Sequence, residues 1–189
     1  MAFKKRTELK DVFNGLSSLY YTPTVADLSS ASTSITWEYD LPVTVDTLQV
    51  AQDDPTISHY KIIGEQGDWA ISSQSGEFNV KFTVPTKHTD ILKIAFGDVA
   101  HKALTGVTMT GGDAEGTWNG SALAISMHKV TGTVALLDET KKNMMIITDV
   151  VLYAKPLYEN PSTEPFAIQF TGSIETSGSY NFAWLTKAG

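Results

Sequence analysis

Cysteine is absent from the 189 residues of this chain. Its absence excludes disulfides, thiolate zinc sites and cysteine nucleophiles. A chain of this length can bury roughly 70% of its unfolded surface, so it needs no covalent cross-link to be stable. The sequence therefore predicts a domain that is held together by a packed core.

Long hydrophobic runs are also absent, since no segment approaches the ~20 apolar residues that a membrane helix needs. The N-terminal stretch "MAFKKRTELK" is basic, but the hydrophobic stretch of a signal peptide does not follow it. We therefore expect no membrane partner and no export by the general secretory pathway.

Positive charge is scarce outside the N-terminus. The formal net charge is −7, from 14 basic and 21 acidic side chains. Lys4, Lys5, Arg6 and Lys10 cluster at the N-terminus, whereas residues 11–60 contain acids and no lysine or arginine. This distribution is unlike the basic footprint of a nucleic-acid-binding protein.

Recognisable catalytic motifs are missing as well. The histidines His59, His88, His101 and His128 do not form an HExxH motif, and no G-x-S-x-G elbow or P-loop is present. The glycine-rich stretch "TGGDAEGTWNG" contains carboxylates but lacks the EF-hand register, and a hairpin connection is the better interpretation. We therefore expect no enzyme activity, no cofactor and no metal.

Alternation of apolar and polar residues predicts strands along most of the chain. The clearest is "GEFNVKFTVP", in which the apolar residues from Phe78 to Val84 share one face and Pro85 ends the strand. Later stretches continue the pattern, and Asn119-Gly120 is typical of a two-residue hairpin turn. The segment "TKHTDILKIAFG" predicts one helix, capped by Thr86 or Thr89 and ended by Gly97.

The fold class that follows is mainly β: a β sandwich or barrel of two antiparallel sheets with one short flanking α-helix. Residues 1–34 are predicted to form an extended N-terminal arm. Residues 35–189 are predicted to form a single domain, with a loop or hairpin excursion at about 50–76.

The excursion contains "QVAQDDPTISHYKIIGEQGDWA", whose residue types allow an active site, a metal loop or a contact surface. Asp53 and Asp54 are adjacent, so in an extended chain they point to opposite sides. Asp-Asp-Pro-Thr is instead a good turn former. Trp69 and Trp118 have polar or glycine neighbours and are predicted to be exposed, unlike Trp37 and Trp184, whose apolar neighbours predict core packing.

The order of elements resembles a known family. "GEFNVKFTVP", "TDILKIAFG" and then "KVTGTVALL…MMIITDVVLYAKPLYE…EPFAIQFTGSIETSG…FAWL" resemble the major tail protein, or tail tube protein, of long-tailed bacteriophages. That family is distantly similar in fold to type VI secretion tube proteins. The resemblance covers most of residues 35–187 and rests on structural patterns, since none of these stretches is a catalytic signature.

The resemblance implies a tail-tube-like β domain that forms stacked, hexameric rings around a channel for genome delivery. Its partners would be further copies of itself and other tail proteins (tape measure, tail tip and terminator), with DNA passing through without specific binding. The protein would be made in the bacterial host cytoplasm and would reside in the tail of the virion. An acidic channel wall would repel the phosphates of DNA, which fits the net charge.

Two contact regions are predicted, the first from the segregation of charge alone and the second from the resemblance. One is an inter-subunit N-terminal arm carrying Lys4, Lys5 and Arg6. The other is an inter-ring stacking loop, to which we assign Asp53, Asp54, Pro55, Thr56, His59, Asp68 and Trp69. Two alternatives stay open: a β-sandwich glycan-binding module that uses its exposed tryptophans, and another virion structural protein such as a capsid decoration protein.

Overall fold

The structure is a computed structural model that describes residues 12–30, 32–44, 46–64, 66–124, 126–175 and 180–188. Antiparallel strands dominate, and one short α-helix accompanies them. The prediction of a mainly β fold with antiparallel sheets and one short helix is therefore confirmed. Within the described ranges, no helix has the length and apolar character needed to cross a membrane.

Twelve strands and the helix follow one another along the described chain. In order they are β1 (Ser18–Thr22), β2 (Tyr39–Leu41), β3 (Gln49–Gln52), β4 (Thr56–Tyr60), β5 (Ala70–Gln74), β6 (Phe78–Val84), α1 (Thr89–Phe96), β7 (His101–Met109), β8 (Gly116–Leu123), β9 (Lys129–Leu137), β10 (Asn143–Leu157), β11 (Ala167–Ile174) and β12 (Phe182–Thr186).

The chain divides into two compact units, which interleave along the sequence. The first unit takes its described residues from 1–42, 132–149 and 176–189, and the second from 43–131 and 150–175. Two of the divisions fall inside strands, one in β9 after Thr131 and one in β10 after Asp149, which has a left-handed backbone with φ of 57°. This division differs from the predicted boundary at residue 34.

In the first unit, β1 is hydrogen bonded to β2 on one side and to β9 on the other, and β12 pairs with the first part of β10. All three pairings are antiparallel. The core of this unit contains Leu19, Val134, Leu136 and Ile147, each at most 2% exposed.

Strand β1 corrects part of the predicted N-terminal arm over 1–34. Leu19 and Tyr21 are buried. Burial raises the pKa of Tyr21 to about 12, and the neighbouring Tyr39 and Glu38 add to the shift. The sequence did not reveal this strand because its partner β9 lies more than a hundred residues further along the chain.

Two buried threonines then fix the chain that follows β1. The Thr133 hydroxyl accepts a hydrogen bond from the Ala26 backbone N–H (2.9 Å) and donates one to the Thr24 carbonyl (2.8 Å). The Thr148 hydroxyl donates to the Ala26 carbonyl at 2.7 Å. Such bonds satisfy buried polar groups and hold residues 24–26 against the unit.

In the second unit, the strands β10, β11, β6 and β3 are paired in that order, all antiparallel. Val80, Phe82 and Val84 are buried, and the ring of Phe82 stacks on that of Phe170 with centroids 5.1 Å apart. The alternation that predicted β6 thus places its apolar residues in the core. A side chain at Gly172 would place its Cβ 1.8 Å from the Val151 carbonyl oxygen, so this position admits only glycine.

The helix α1 forms where the sequence predicts it, with Ile91, Leu92, Ala95 and Phe96 buried. Its N-cap is His88 rather than a threonine, because the His88 side chain accepts a hydrogen bond from the Asp90 N–H. Gly97 ends the helix as predicted, with φ of 85° and its N–H donating to the Lys93 carbonyl.

The predicted turn at Asn119-Gly120 is wrong, because both residues lie inside β8. The connection between β7 and β8 lies at residues 110–115 instead and includes a 3₁₀ turn at Gly112–Ala114. Asn119 stands at a bulge, where its side-chain oxygen accepts a hydrogen bond from the Gly106 N–H at 2.9 Å.

Candidate assembly surfaces

The predicted excursion at about 50–76 contains a two-stranded hairpin, formed by β4 and β5. Thr56 pairs with Gln74 at one end of the hairpin and Tyr60 with Ala70 at the other. Among the described residues, β4 and β5 pair only with each other. An isolated two-stranded hairpin is marginally stable at best in water, so this one is expected to gain a further partner.

One face of this hairpin is apolar although it is exposed. Side chains alternate between faces along a strand, so the register places Ile57 and His59 of β4 beside Ser73 and Ile71 of β5. Trp69 comes two residues before Ile71 in the extended chain and therefore lies on the same face. The exposed fractions are 54% for Ile57, 62% for Ile71 and 68% for Trp69. We call Ile57, His59, Trp69, Ile71 and Ser73 the apolar hairpin face.

The opposite face of the hairpin is polar. It carries Thr56, Ser58, Ser72 and Gln74, with Tyr60 as its one large apolar side chain. The hairpin therefore supplies matched positions for experiment, since neighbouring residues of one strand lie on faces of opposite character.

The structure brings three of the predicted stacking residues together at the end of the hairpin near Tyr60. His59 Nδ1 lies 2.6 Å from Asp68 Oδ2, and the Trp69 N–H donates to the Tyr60 carbonyl at 2.7 Å. The histidine side chain is 51% exposed and the aspartate side chain 25%. A pair this exposed contributes only about 0–1 kcal/mol.

The other predicted stacking residues lie at the opposite end of the hairpin. Asp53 donates its N–H to the Glu77 carbonyl (2.8 Å), and its carboxylate accepts from the Asn79 amide (3.1 Å). Asp54, Pro55 and Thr56 follow it and are exposed. Thr56 and Tyr60 are four residue steps apart along β4, which is roughly 13 Å at the strand rise. The seven predicted residues therefore form two groups and not one cluster.

Lys4, Lys5 and Arg6, predicted for the inter-subunit arm, lie outside the described residues. The stacking prediction also overlooked Ile57, Ile71 and Tyr60, because large apolar side chains in a strand ordinarily indicate a buried face.

A second surface is the polar face of the sheet in the second unit. The register places Tyr153 and Lys155 of β10, Gln169 and Thr171 of β11, Asn79 and Lys81 of β6 and Gln49 of β3 on this face. On the strands this face carries two lysines among amides and hydroxyls, and the loop carboxylates Asp46, Glu159 and Glu164 line a cavity on it beside Lys81 and Gln169. The face therefore carries charges of both signs.

Strand β3 leaves this sheet with an open edge. Within the described chain it pairs with β6 alone. Unpaired N–H and C=O groups along an edge are a template for a strand of another molecule.

The described residues offer little for metal or catalytic chemistry. They contain no group of three or more His, Asp or Glu side chains that could hold a metal ion. His101 Nε2 lies 2.9 Å from the Ser121 hydroxyl, but no carboxylate contact to His101 is seen among the described residues, so the pair lacks the third member of a triad.

The turn between β9 and β10 is ordered by a buried carboxylate. Asp138 accepts hydrogen bonds from the Thr140 hydroxyl (2.7 Å), the Lys142 N–H (3.0 Å) and the Asn143 N–H (3.1 Å). Burial raises the pKa of Asp138, but the hydrogen bonds from Thr140, Asn143 and Lys142 outweigh it and lower this pKa to about 2. The burial of this aspartate was not predicted from the sequence.

The tryptophans divide differently from the prediction. Trp69 and Trp118 are exposed as expected, but Trp184 is also 56% exposed and packs edge-on against Phe13 and Phe182. Trp184 lies on β12, which pairs with β10 only among the described strands.

No protein-family model matches this chain, and no curated protein matches it significantly.

Proposed function

We propose that this chain is the structural subunit of a phage tail tube. It forms stacked, hexameric rings that make a channel for genome delivery, and it resides in the tail of the virion. Its partners are further copies of itself and the tape measure, tail tip and terminator proteins, and DNA passes through without specific binding.

The apolar hairpin face is the observation that carries this proposal. A marginally stable hairpin that exposes three large apolar side chains is not expected in a protein that stays monomeric, because such strands associate with other molecules. In a stacked tube the neighbouring ring would cover this face. The stability that the hairpin lacks alone would then come from assembly.

The second sheet supports the same proposal. Its inner face is packed with apolar residues, and its outer face exposes Lys81, Tyr153, Lys155 and Thr171 to solvent, as suits the wall of a water-filled channel. The open edge of β3 allows the sheet to continue into a neighbouring copy, and a closed ring would leave no edge unpaired.

Microscopy of the purified protein tests the proposal. We expect negative-stain images to show rings and tubes, either spontaneously or after addition of a tail-initiating protein. Sedimentation should show assembly that rises with concentration. A strictly monomeric species at high concentration, without rings or tubes under either condition, would overturn the proposal.

A glycan-binding module is the second candidate, and the exposure of Trp69 and Trp118 favours it. A sugar stacked on either ring would shift the tryptophan fluorescence during glycan titration. That shift should disappear in Trp69→Ala or Trp118→Ala and persist in Trp184→Ala. A flat titration for a broad glycan panel would remove this candidate.

A further inference from the structure

The first unit contains a pocket of about 650 Å³ that the proposed function has not used. Apolar side chains from four strands and the segment before β2 line it: Tyr20, Trp37, Leu137, Met144 and Leu185. The rings of Tyr20 and Trp37 stack with centroids 6.1 Å apart. Pockets of this volume accept several side chains or a small ligand.

Three lysines line the same pocket: Lys141, Lys142 and Lys187. All three are exposed, and none makes a salt bridge with another described residue. Among the described residues, no carboxylate lines the pocket. The hydrogen bonds of Asp138 fix the turn that carries Lys141 and Lys142. We call this site the lysine pocket, and its chemistry selects an occupant that is both apolar and acidic.

The second unit carries a segment with that chemistry. The connection between β7 and β8 bears Asp113 and Glu115, both exposed, and no basic residue lies between 103 and 118. Beside it, Val107 pairs with Trp118, and Met109 lies on the same face. Trp118 is 51% exposed and Met109 46%. We call residues 107–118 the acidic hairpin tip.

We propose that the acidic hairpin tip of one copy docks in the lysine pocket of the next copy. Asp113 and Glu115 would meet the lysines, and Trp118 and Met109 would contact the apolar lining. The contact joins two different surfaces, so repetition around an axis gives a closed ring and repetition without closure gives a filament. This inference rests on the proposed self-assembly and names the surfaces that join.

The tip is itself preorganised for such a contact. The Trp118 indole N–H donates to the Ala114 carbonyl at 2.9 Å, and the Glu115 N–H donates to the Gly112 carbonyl at 3.2 Å. These bonds fix the tryptophan ring and the turn while leaving both carboxylates in solvent. A preorganised segment loses less conformational entropy on binding than a mobile one.

Charge reversal tests the contact in the full-length protein. Lys142→Glu with Lys187→Glu changes the pocket, and Asp113→Lys with Glu115→Lys changes the tip. Each pair should weaken self-association, measured by sedimentation velocity, by at least about tenfold, because like charges would meet. The four substitutions combined in one chain should restore association, because the opposite charges face one another again. Lys87→Glu with Lys93→Glu is the control for added negative charge and should leave association within about twofold.

The outcomes separate this inference from the proposed function. Tubes that form normally in both charge-reversed proteins would overturn this inference but would still support the proposed tail-tube function. Small oligomers that respond to the charge changes, without any tubes, would support the inference and overturn the tube. A wild-type protein that stays monomeric overturns both. Circular dichroism should show each variant folded, and Lys187→Glu alone is the fallback if the pocket pair does not fold.

A nucleic acid is the competing occupant of a lysine-lined aromatic pocket. Titration of the wild-type protein with a short DNA duplex at low salt measures it directly. Two results together would assign the pocket to nucleic acid and overturn the proposed contact. DNA binding would be lost in the Lys142→Glu, Lys187→Glu variant, and self-association would be unchanged in the Asp113→Lys, Glu115→Lys variant. The net charge of −7 leads us to expect no such binding.

Discussion

At the scale of the residue, Asp138 shows how one carboxylate fixes a turn. It is fully buried and accepts hydrogen bonds from two backbone N–H groups and two side chains. Its pKa is about 2, below the ordinary value of 3.8. A carboxylate with a lowered pKa stabilises the fold at every pH above its ordinary value, and that stabilisation is lost as the pH falls through the lowered value.

We therefore predict that Asp138→Asn lowers the melting temperature by several degrees at neutral pH. The amide removes the charge and places a donor where an acceptor is needed. Thermal unfolding followed from pH 7 to pH 2 should show the wild type losing its advantage between about pH 4 and pH 2, the window set by the two pKa values. Asp113→Asn, on the exposed hairpin tip, serves as the control. Parallel melting curves for wild type and Asp138→Asn across this range would contradict the assignment.

At the scale of the element, the β4–β5 hairpin allows a test in which the two variants differ by one position. Ile71→Lys places a charge on the apolar hairpin face, and Ser72→Lys places the same charge on the polar face of the same strand. Both side chains are exposed, so neither variant should unfold the subunit. We predict that Ile71→Lys abolishes tube growth and that Ser72→Lys leaves it nearly normal, because only the first charge would be buried by a neighbouring ring.

Tube length in negative-stain images measures this difference, and circular dichroism checks folding. Normal tubes from Ile71→Lys would show that the apolar hairpin face takes no part in the stacking of rings. Loss of tubes from both variants would indicate that both faces are covered.

Elements with a strong local pattern could be predicted from the sequence. The alternation from Phe78 to Val84 and the apolar stripe of α1 each specify a face that must be buried, so β6 and the helix are found where expected. The Asn119-Gly120 turn failed because long-range pairing with β7 outweighs a local turn preference. Strand β1 was missed because its stability comes from β9 and not from its own five residues.

The candidate site was predicted only in part for a related reason. The sequence located the excursion and its exposed tryptophan, since composition marks polar, turn-rich segments. It could not tell that Ile57 and Ile71 stay in solvent, because isoleucine in a strand ordinarily indicates a buried face. The lysine pocket could not be predicted, since Tyr20, Met144 and Lys187 come together only through the pairing of β1 with β9, of β9 with β10 and of β10 with β12.

At the scale of the whole molecule, charge is distributed in a way that bears on assembly. Copies with a net charge of −7 repel one another at long range, so each contact between them must overcome that repulsion. The N-terminal residues Lys4, Lys5 and Arg6 are the densest positive segment of the sequence. The hypothesis from the sequence is that they contact the acidic surface of a neighbouring copy.

Neutralising this segment tests the hypothesis against a variant of equal net charge. Lys4→Gln, Lys5→Gln and Arg6→Gln change the net charge from −7 to −10, and so do Lys87→Gln, Lys93→Gln and Lys102→Gln. General repulsion would weaken assembly equally in both proteins, and added salt would restore both by screening it.

A specific contact predicts a larger loss in the N-terminal variant. It also predicts that salt fails to restore this variant, because salt cannot replace attraction that has been removed. The assembled fraction, measured by sedimentation between about 0.05 M and 0.5 M salt, distinguishes the two. If the assembled fractions of the two variants are equal across this range, the N-terminal segment affects assembly only through its contribution to the net charge.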